Sequence, residues 1–247
     1  MRFSIVLANN PSAYTGPGTN TYVLEFGGKV VVIDPGPIMP DHIDNVAAAI
    51  GEREVGGVLV THHHPDHAPA AESLADRFTA PVFAMDPVPP FKAKRLISDE
   101  MDIEIGGEVL TCIHSPGHTN DSVTFVRDGV GFIGDVLMGE STVIIEDLTA
   151  YLDTLERLSA LGLDALYPGH GPVIEQPRAR LHEVIEHRLA RNDQIVSAIE
   201  TGADTVEAIR ALVYPGLNPA LHIAAEGSVR THLSYLMDEG TVPNRNW

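Results

Sequence analysis

Six consecutive residues, His62-His63-His64-Pro65-Asp66-His67, constrain this chain more than any other stretch of it. They lie between an apolar run read as a strand (55–61) and a run read as a helix (about 68–78). Loops at the carboxyl ends of strands are where a rigid scaffold presents functional groups. Imidazoles beside a carboxylate suit zinc and related divalent ions. A histidine-rich run without a metal would explain this loop taken alone.

That simpler reading must also account for three later positions, each at the end of a strand-like run and beside glycine. They are His118 in Ser115-Pro116-Gly117-His118-Thr119, Asp135 in Ile133-Gly134-Asp135, and His170 in Tyr167-Pro168-Gly169-His170-Gly171. Small neighbours let the backbone turn tightly and bring a side chain inward. Four signals of one kind, in order, point to a metal centre assembled from distant parts of the chain. Asp34, at the end of the strand read at 29–33, has two readings of equal weight. It is either a carboxylate that orients a ligand histidine or a turn aspartate before Pro35-Gly36. Of the other histidines, His42 reads as a first-turn helix residue and His114 as lying on the strand side of the Ser115 turn. His182, His187, His222 and His232 read as surface or packing residues of a helical tail, with His187-Arg188 on a helix that could pass near the site mouth.

The pattern around the motifs alternates. Strands at 20–26 and 29–33 are split by Gly27-Gly28, a hairpin signal. A helix at 41–50 with Asp41 as N-cap, the strand at 55–61, the helix at 68–78 and a strand at 82–84 follow. Such βαβ alternation implies sheet covered by helices. The stretch 86–102, with Pro87, Pro89 and Pro90, reads as an irregular loop. Strands at 101–105, 109–114, 122–127 and 130–133, a helix at 148–161 and a strand at 165–167 complete this part. Beyond it the texture is helical only, with helices at 178–200, from Asp204 or Thr205 to Val213, and at 220–237. A boundary near Pro177 therefore divides a catalytic domain, 1–177, from a small helical domain, 178–247.

Composition sets limits on partners and place. The 247 residues are 44% hydrophobic, enough for a core without disulfides. The single Cys112 allows no intramolecular bridge and suits a reducing compartment. Residues 1–10 lack the apolar length and cleavage site of a signal peptide, and no run approaches a membrane span. A soluble cytoplasmic protein without a membrane partner is the expectation. The net charge is −18, yet 178–247 hold 7 basic and 9 acidic side chains, so nearly all the excess lies before them. An acidic surface repels phosphate backbones, although metal ions among the carboxylates would neutralise part of it locally.

The series His62-x-His64-x-Asp66-His67, His118, Asp135, His170 resembles the metallo-beta-lactamase superfamily, with every position of that pattern filled. The resemblance implies an α/β fold, an αββα sandwich, and a cofactor of two zinc ions per chain. His62, His64 and His118 would hold one ion, Asp66, His67 and His170 the other, and Asp135 would bridge them. His63 falls between ligand positions as a bystander. Two ions roughly 3.5–4 Å apart clamp a shared hydroxide and polarise a scissile group, and Asp66 is the expected catalytic carboxylate that accepts a hydrogen bond from it. Asp135, standing where common zinc beta-lactamases use cysteine, argues against that group. The gap from Asp135 to His170 is too short for the extra domain of the large nucleases, and no length remains for the flavin domain of flavodiiron proteins.

Longer segments are similar to one branch, the lactamase-beta-like hydrolases of the endoribonuclease type. They are Thr15-Gly16-Pro17-Gly18-Thr19-Asn20-Thr21-Tyr22, Gly134-Asp135-Val136-Leu137-Met138-Gly139, Glu146-Asp147-Leu148 and Tyr167-Pro168-Gly169-His170-Gly171-Pro172-Val173-Ile174. In that branch a winged-helix-like domain follows the catalytic fold, and 178–247 resembles it, although the chain ends soon after Val242, where the second strand of a wing would be wanting. The loop 15–20 is expected to shape one wall of the substrate cleft; it lacks the lysine of a phosphate-binding loop.

The implied activity is hydrolysis of an ester-like bond by metal-bound hydroxide. The branch favours a phosphodiester in single-stranded RNA, whereas the acidic surface favours a small ester or thioester of the glyoxalase II kind. Two other readings stand beside these. One is a metal-binding regulatory or scaffold module, motivated by the helical tail. The other is an oxidative iron enzyme like the persulfide dioxygenases, which use one metal held by two histidines and an aspartate. The complete second ligand set favours two hydrolytic ions. The resemblance also hints at a homodimer.

Overall fold

The computed structural model describes residues 2–86, 95–138 and 143–247. Pro87, Pro89 and Pro90 of the expected irregular loop, and Gly139 of the branch-like segment, lie outside the described residues.

The first sheet has six strands in chain order: β1 (Arg2–Leu7), β2 (Asn20–Phe26), β3 (Lys29–Ile33), β4 (Val55–Leu59), β5 (Val82–Ala84) and β6 (Arg95–Leu96). The β1–β2 and β2–β3 pairs are antiparallel, and the later pairs are parallel. Parallel neighbours need crossovers, supplied by α1 (Pro40–Ile50) and α2 (Ala71–Phe78). The second sheet contains β7 (Asp102–Ile105), β8 (Glu108–His114), β9 (Val123–Arg127), β10 (Val130–Gly134) and β11 (Ala165–Pro168), with α3 (Leu148–Ala160) between the last two.

Side-chain alternation along the strands decides the layers. On β2, Val23 faces α1 and α2, while Tyr22, Leu24 and Phe26 face the second sheet; on β3, Val30 and Val32 face the helices and Val31 and Ile33 the sheet. Both faces of β2 and β3 are covered, so these strands read as apolar runs. Leu110, Cys112, Phe125 and Phe132 meet them from the second sheet. On the far side of that sheet, Ile113 and Ile133 pack with Leu148, Tyr151 and Leu155 of α3. The order helix, sheet, sheet, helix is the expected αββα sandwich.

The helical tail consists of α4 (Pro177–Glu200), α5 (Val206–Val213), a 3-10 turn (Pro219–Leu221) and α6 (His222–Asp238). Leu181 near the start of α4 joins the α3 core, whereas Ile195 and Ala198 near its end join α5 and α6 in a core of their own. Thr205 caps α5, accepting from the Ala208 amide. No strand occurs in 178–247, so neither strand of a wing is present; Val242 and the half-buried Trp247 pack on the helical core instead.

Other expectations need adjustment. The first helix begins at Pro40 rather than Asp41, and Met39 at its N-cap makes no side-chain hydrogen bond. Proline at the first helical position needs no N–H partner and carries a preset φ. β4 ends at Leu59, so Thr61 is outside the ladder, and α2 starts at Ala71, not Ala68. β1 and β6 are additions that the sequence reading did not contain. Cys112 is a free, buried thiol. Among the described residues, no helix is long and apolar enough to cross a membrane.

Candidate metal centre

All seven expected ligands converge at one end of the sandwich. The loop after β4 supplies His62, His64, Asp66 and His67; the turn after β8 supplies His118; Asp135 follows β10 and His170 follows β11. Loop-to-loop hydrogen bonds fix this end. Thr61 O accepts from the Val123 amide at 2.9 Å, joining the two sheets, and the Gly169 amide donates to Gly134 O at 2.7 Å. Two glycines permit the approach. A Cβ on Gly134, whose φ is 49°, would collide with Thr61 Oγ1, and one on Gly169 would collide with His67 Cε1 and lie 2.5 Å from Asp135 Oδ1.

The tautomers can be argued from the outward nitrogens. His118 Nδ1 donates to Ile144 O (2.6 Å) and His170 Nδ1 to Gly18 O (3.1 Å), because a carbonyl can only accept. His67 Nδ1 donates to Asp34 Oδ2 at 2.8 Å. The Thr61 hydroxyl gives its one proton to that same oxygen, at 2.8 Å, and so accepts from His62 Nδ1 at 3.0 Å. The inward Nε2 atoms of His62, His67, His118 and His170 are thereby left as lone pairs. Yet His62 Nε2 lies 3.1 Å and His118 Nε2 2.9 Å from His64 Nδ1, while His67 Nε2 and His170 Nε2 are 3.2 Å apart. Lone pairs so close need a cation or a proton between them. Three overlapping groups satisfy metal-ligand spacing: His62 with His64 and His118, His62 with His67 and Asp135, and Asp66 with His67 and His170.

The carboxylates add the same demand. Asp66 Oδ2 sits 3.1 Å from His170 Nε2, and Asp135 oxygens lie 3.4 Å from both His67 and His170 and 3.7 Å from His118. Burial opposes ionisation of Asp135, but His67 and His170 outweigh it and hold the group well below the usual range. Burial likewise opposes charge on His170, and hydrogen bonds to Asp135 and Asp66 still lift it to about 9, so with no cation beside them the carboxylates call a proton onto the Nε2 that would otherwise be a lone pair. On the other side, burial and then His118 and His63 push His64 down to about 4. The donor set therefore fits divalent ions: neutral imidazoles on one side and anionic oxygens on the other, around buried space.

Supporting residues are visible behind the ligands. Asp34 answers both of its readings. It has a left-handed φ of 50°, as a turn residue would, and it accepts from the Thr61 amide and hydroxyl and from His67. His42 lies in the first turn of α1 as expected, and its buried ring also turns toward the site. Its Nε2 lies 2.9 Å from Thr21 Oγ1, which donates to Asp34 O. His63 points away from the cluster, with Nδ1 2.8 Å from the buried Asp121. The branch-like segments meet here too: Tyr22 donates to Pro168 O at 2.6 Å, and Asn20 to Gly171 O at 3.0 Å.

The site opens into a cleft of about 520 Å³. Its floor is His64, Asp66, His118, Asp135 and His170. Ser12, Ala13, Tyr14 and Thr15 form one wall, so of the loop expected there, 15–20, only Thr15 lines the cleft; Met138, Val143, Ile144 and Glu146 form the other. Arg188 reaches this second wall from beneath, donating to Val143 O at 2.8 Å, whereas His187 does not line the cleft.

Comparison with known proteins agrees with this geometry. Residues 14–95 match the family model of the metallo-beta-lactamase superfamily, and residues 205–245 match that of the beta-lactamase associated winged helix domain. A beta-lactamase-like protein 2 homolog from Drosophila melanogaster is 30% identical over 95% of this chain and 87% of its own. An atrochrysone carboxyl ACP thioesterase from Aspergillus chevalieri is 32% identical over 78% of this chain and 64% of its own. Among solved structures, a metallo-beta-lactamase family protein from Thermus thermophilus superposes with a TM-score of 0.82 at 22% identity, over 99% of this chain and 96% of that one. The chain belongs to the metallo-beta-lactamase superfamily of metal-dependent hydrolases, with a beta-lactamase associated winged helix domain at its C-terminal end.

Proposed function

We propose that the chain is a dinuclear zinc hydrolase of small acyl thioesters or related esters. The observation that carries this reading is the character of the cleft. Its walls present Ala13, Tyr14, Met138, Val143 and Ile144, its mouth carries Glu146, and among the described lining residues there is no Lys or Arg. Such a cleft welcomes a neutral acyl group and opposes a polyanion, whose affinity depends on basic side chains. Several of the tail's cations are also engaged within the chain: Arg188 and Arg191 donate to Val143 O and Val213 O, Arg210 pairs with Glu226, and Arg245 lies over Trp247. The thioesterase relative supports the same direction.

In this reading His62, His64 and His118 would hold one ion and Asp66, His67 and His170 the second, with Asp135 available to both. Bound ions supply a Lewis acid for the acyl oxygen and lower the pKa of water at the site. The chain itself supplies position and proton handling. Asp66 is the more open of the two carboxylates, its side chain 23% exposed against 10% for Asp135. Burial works against its charge, but His170 and His67 keep its pKa below the ordinary value, so it stays anionic and ready to accept a hydrogen bond from attacking water. Thr19 Oγ1, 3.4 Å from Asp66 Oδ2, helps aim it. Water oxygen bonds to the acyl carbon, the carbon–sulfur bond breaks, and acid and thiol leave.

The test has two parts. Elemental mass spectrometry on purified protein should find two zinc ions per chain, with loss in His118→Ala and Asp135→Ala. Assays on acyl thioesters and on end-labelled single-stranded RNA should then show thioester turnover, reduced at least about 100-fold in Asp66→Asn. Turnover of RNA alone would replace the substrate reading with the nuclease one, and one iron per chain would replace the hydrolytic reading.

A further inference from the structure

We propose that the C-terminal helices complete the hydrolytic site, with Arg188 of α4 and Thr231 of α6 acting as positioning residues for the segment 143–147. This rests on reading His118 as a metal ligand. The segment is irregular backbone, and polar backbone groups near a buried site need partners. The tail supplies two of them. Arg188, only 5% exposed, donates Nη2 to Val143 O at 2.8 Å, and Thr231 Oγ1 shares its one proton between Ile145 O at 3.1 Å and Gly227 O of its own helix at 3.2 Å.

Ile144 lies between those two grips. Its carbonyl accepts from His118 Nδ1 at 2.6 Å, the hydrogen bond that turns Nε2 inward, and its side chain is 47% exposed on the cleft wall. The next two residues close on the same loop, the amides of Glu146 and Asp147 donating to Gly117 O at 2.7 and 3.2 Å. Arg188 also reaches toward the bridging position. Its guanidinium lies 5.4 Å from the Tyr151 ring centroid, and Tyr151 donates to Val136 O, one residue past Asp135. Beside its apolar packing on α3, the tail places these two hydrogen bonds on the backbone carbonyls flanking the one that orients His118. Outer partners of a ligand histidine set its tautomer and ring angle, and losing them costs about 10–100-fold in metal affinity.

The test uses the full chain. Thr231→Val removes the hydroxyl at nearly constant shape, and Arg188→Met removes the guanidinium; Thr231→Ser is the conservative partner of the first. Zinc affinity is read by competition with a chromophoric chelator, beside KM, kcat and Tm. The double variant should bind zinc about tenfold or more weakly with a raised KM, and Thr231→Ser should match the parent. Ile144→Ala should change KM while keeping parental zinc affinity, since the carbonyl remains. Variants with parental zinc affinity and KM, or with only a lower Tm, overturn the proposal and leave the tail a stabilising appendage. A parent that binds no zinc overturns the metal reading itself, and this proposal with it.

Discussion

At the scale of single residues, the centre depends on acceptors placed behind the ligands. Asp34 is the clearest case: one buried carboxylate receives three hydrogen bonds and holds both the ligand loop and the His67 ring. Asp34→Ala would strand those donors at about 1–3 kcal/mol for each one left unpaired and release His67. Its expected outcome is a lower Tm and a fall of about 10–100-fold in zinc affinity, measured by calorimetry and chelator competition. The candidate ligands and their convergence were legible in sequence because their residue types are rare together and each sits beside a turn signal. Residues one step further out were not. His42 looks like any helical histidine, and nothing local shows that its ring reaches Thr21, a strand away. Asp34 showed both its turn chemistry and a carboxylate able to orient a histidine, but not which histidine, since its partners come from the loop after the next strand.

At the scale of elements, the strands and helices were read to within about three residues wherever alternation or helical spacing was strong. The failures have a common physical origin. β1 is an edge strand with an exposed, irregular pattern, and it exists because it pairs with β2 from Arg2 opposite Glu25 to Leu7 opposite Asn20. β6 is two residues long and follows the same rule, pairing with β5. Cross-strand pairing is non-local and leaves little trace in a short window. The strand ends carry the site, so their approach is a sharper test than their existence. Gly169→Ala should leave far-UV circular dichroism unchanged, because its φ is not left-handed, yet displace His67 and Asp135. Zinc affinity should drop at least about tenfold; an unchanged value would show that the loop yields without cost.

At the scale of the whole molecule, the chain joins its sandwich to a helical tail through α4, which belongs to both cores. The helical texture of the tail was plain in the sequence, but the missing wing was only half anticipated: the family model matches residues 205–245, where the structure has helices and a packed terminus. His232 in this tail gives a prediction independent of any metal. It is fully buried, with Nδ1 2.6 Å from Asn192 Oδ1. Burial, reinforced by Arg188, Arg191 and His187, lowers its pKa to about 3 from an ordinary 6.5. The neutral form is therefore the folded form. Its contribution is intact above pH 6.5 and declines as pH falls toward 3, by on the order of a few kcal/mol. Unfolding free energy measured by urea titration between pH 7 and 4 should fall, and His232→Leu should flatten that slope.

The cleft divides its labour in a way that bears on how such an enzyme changes over generations. Every candidate ligand stands at the end of a strand and is braced by the sheets, while the walls at 12–15 and 143–146 are irregular loops held by a few hydrogen bonds. Exchanging Tyr14 or Ile144 alters what can enter without moving a ligand. Substrate preference is thus written on the side chains of the walls, while bond-breaking power rests on the candidate ligands and on the wall backbone that holds His118. A lineage of such proteins can try new substrates by drift in the walls, keeping its hydrolytic chemistry intact throughout.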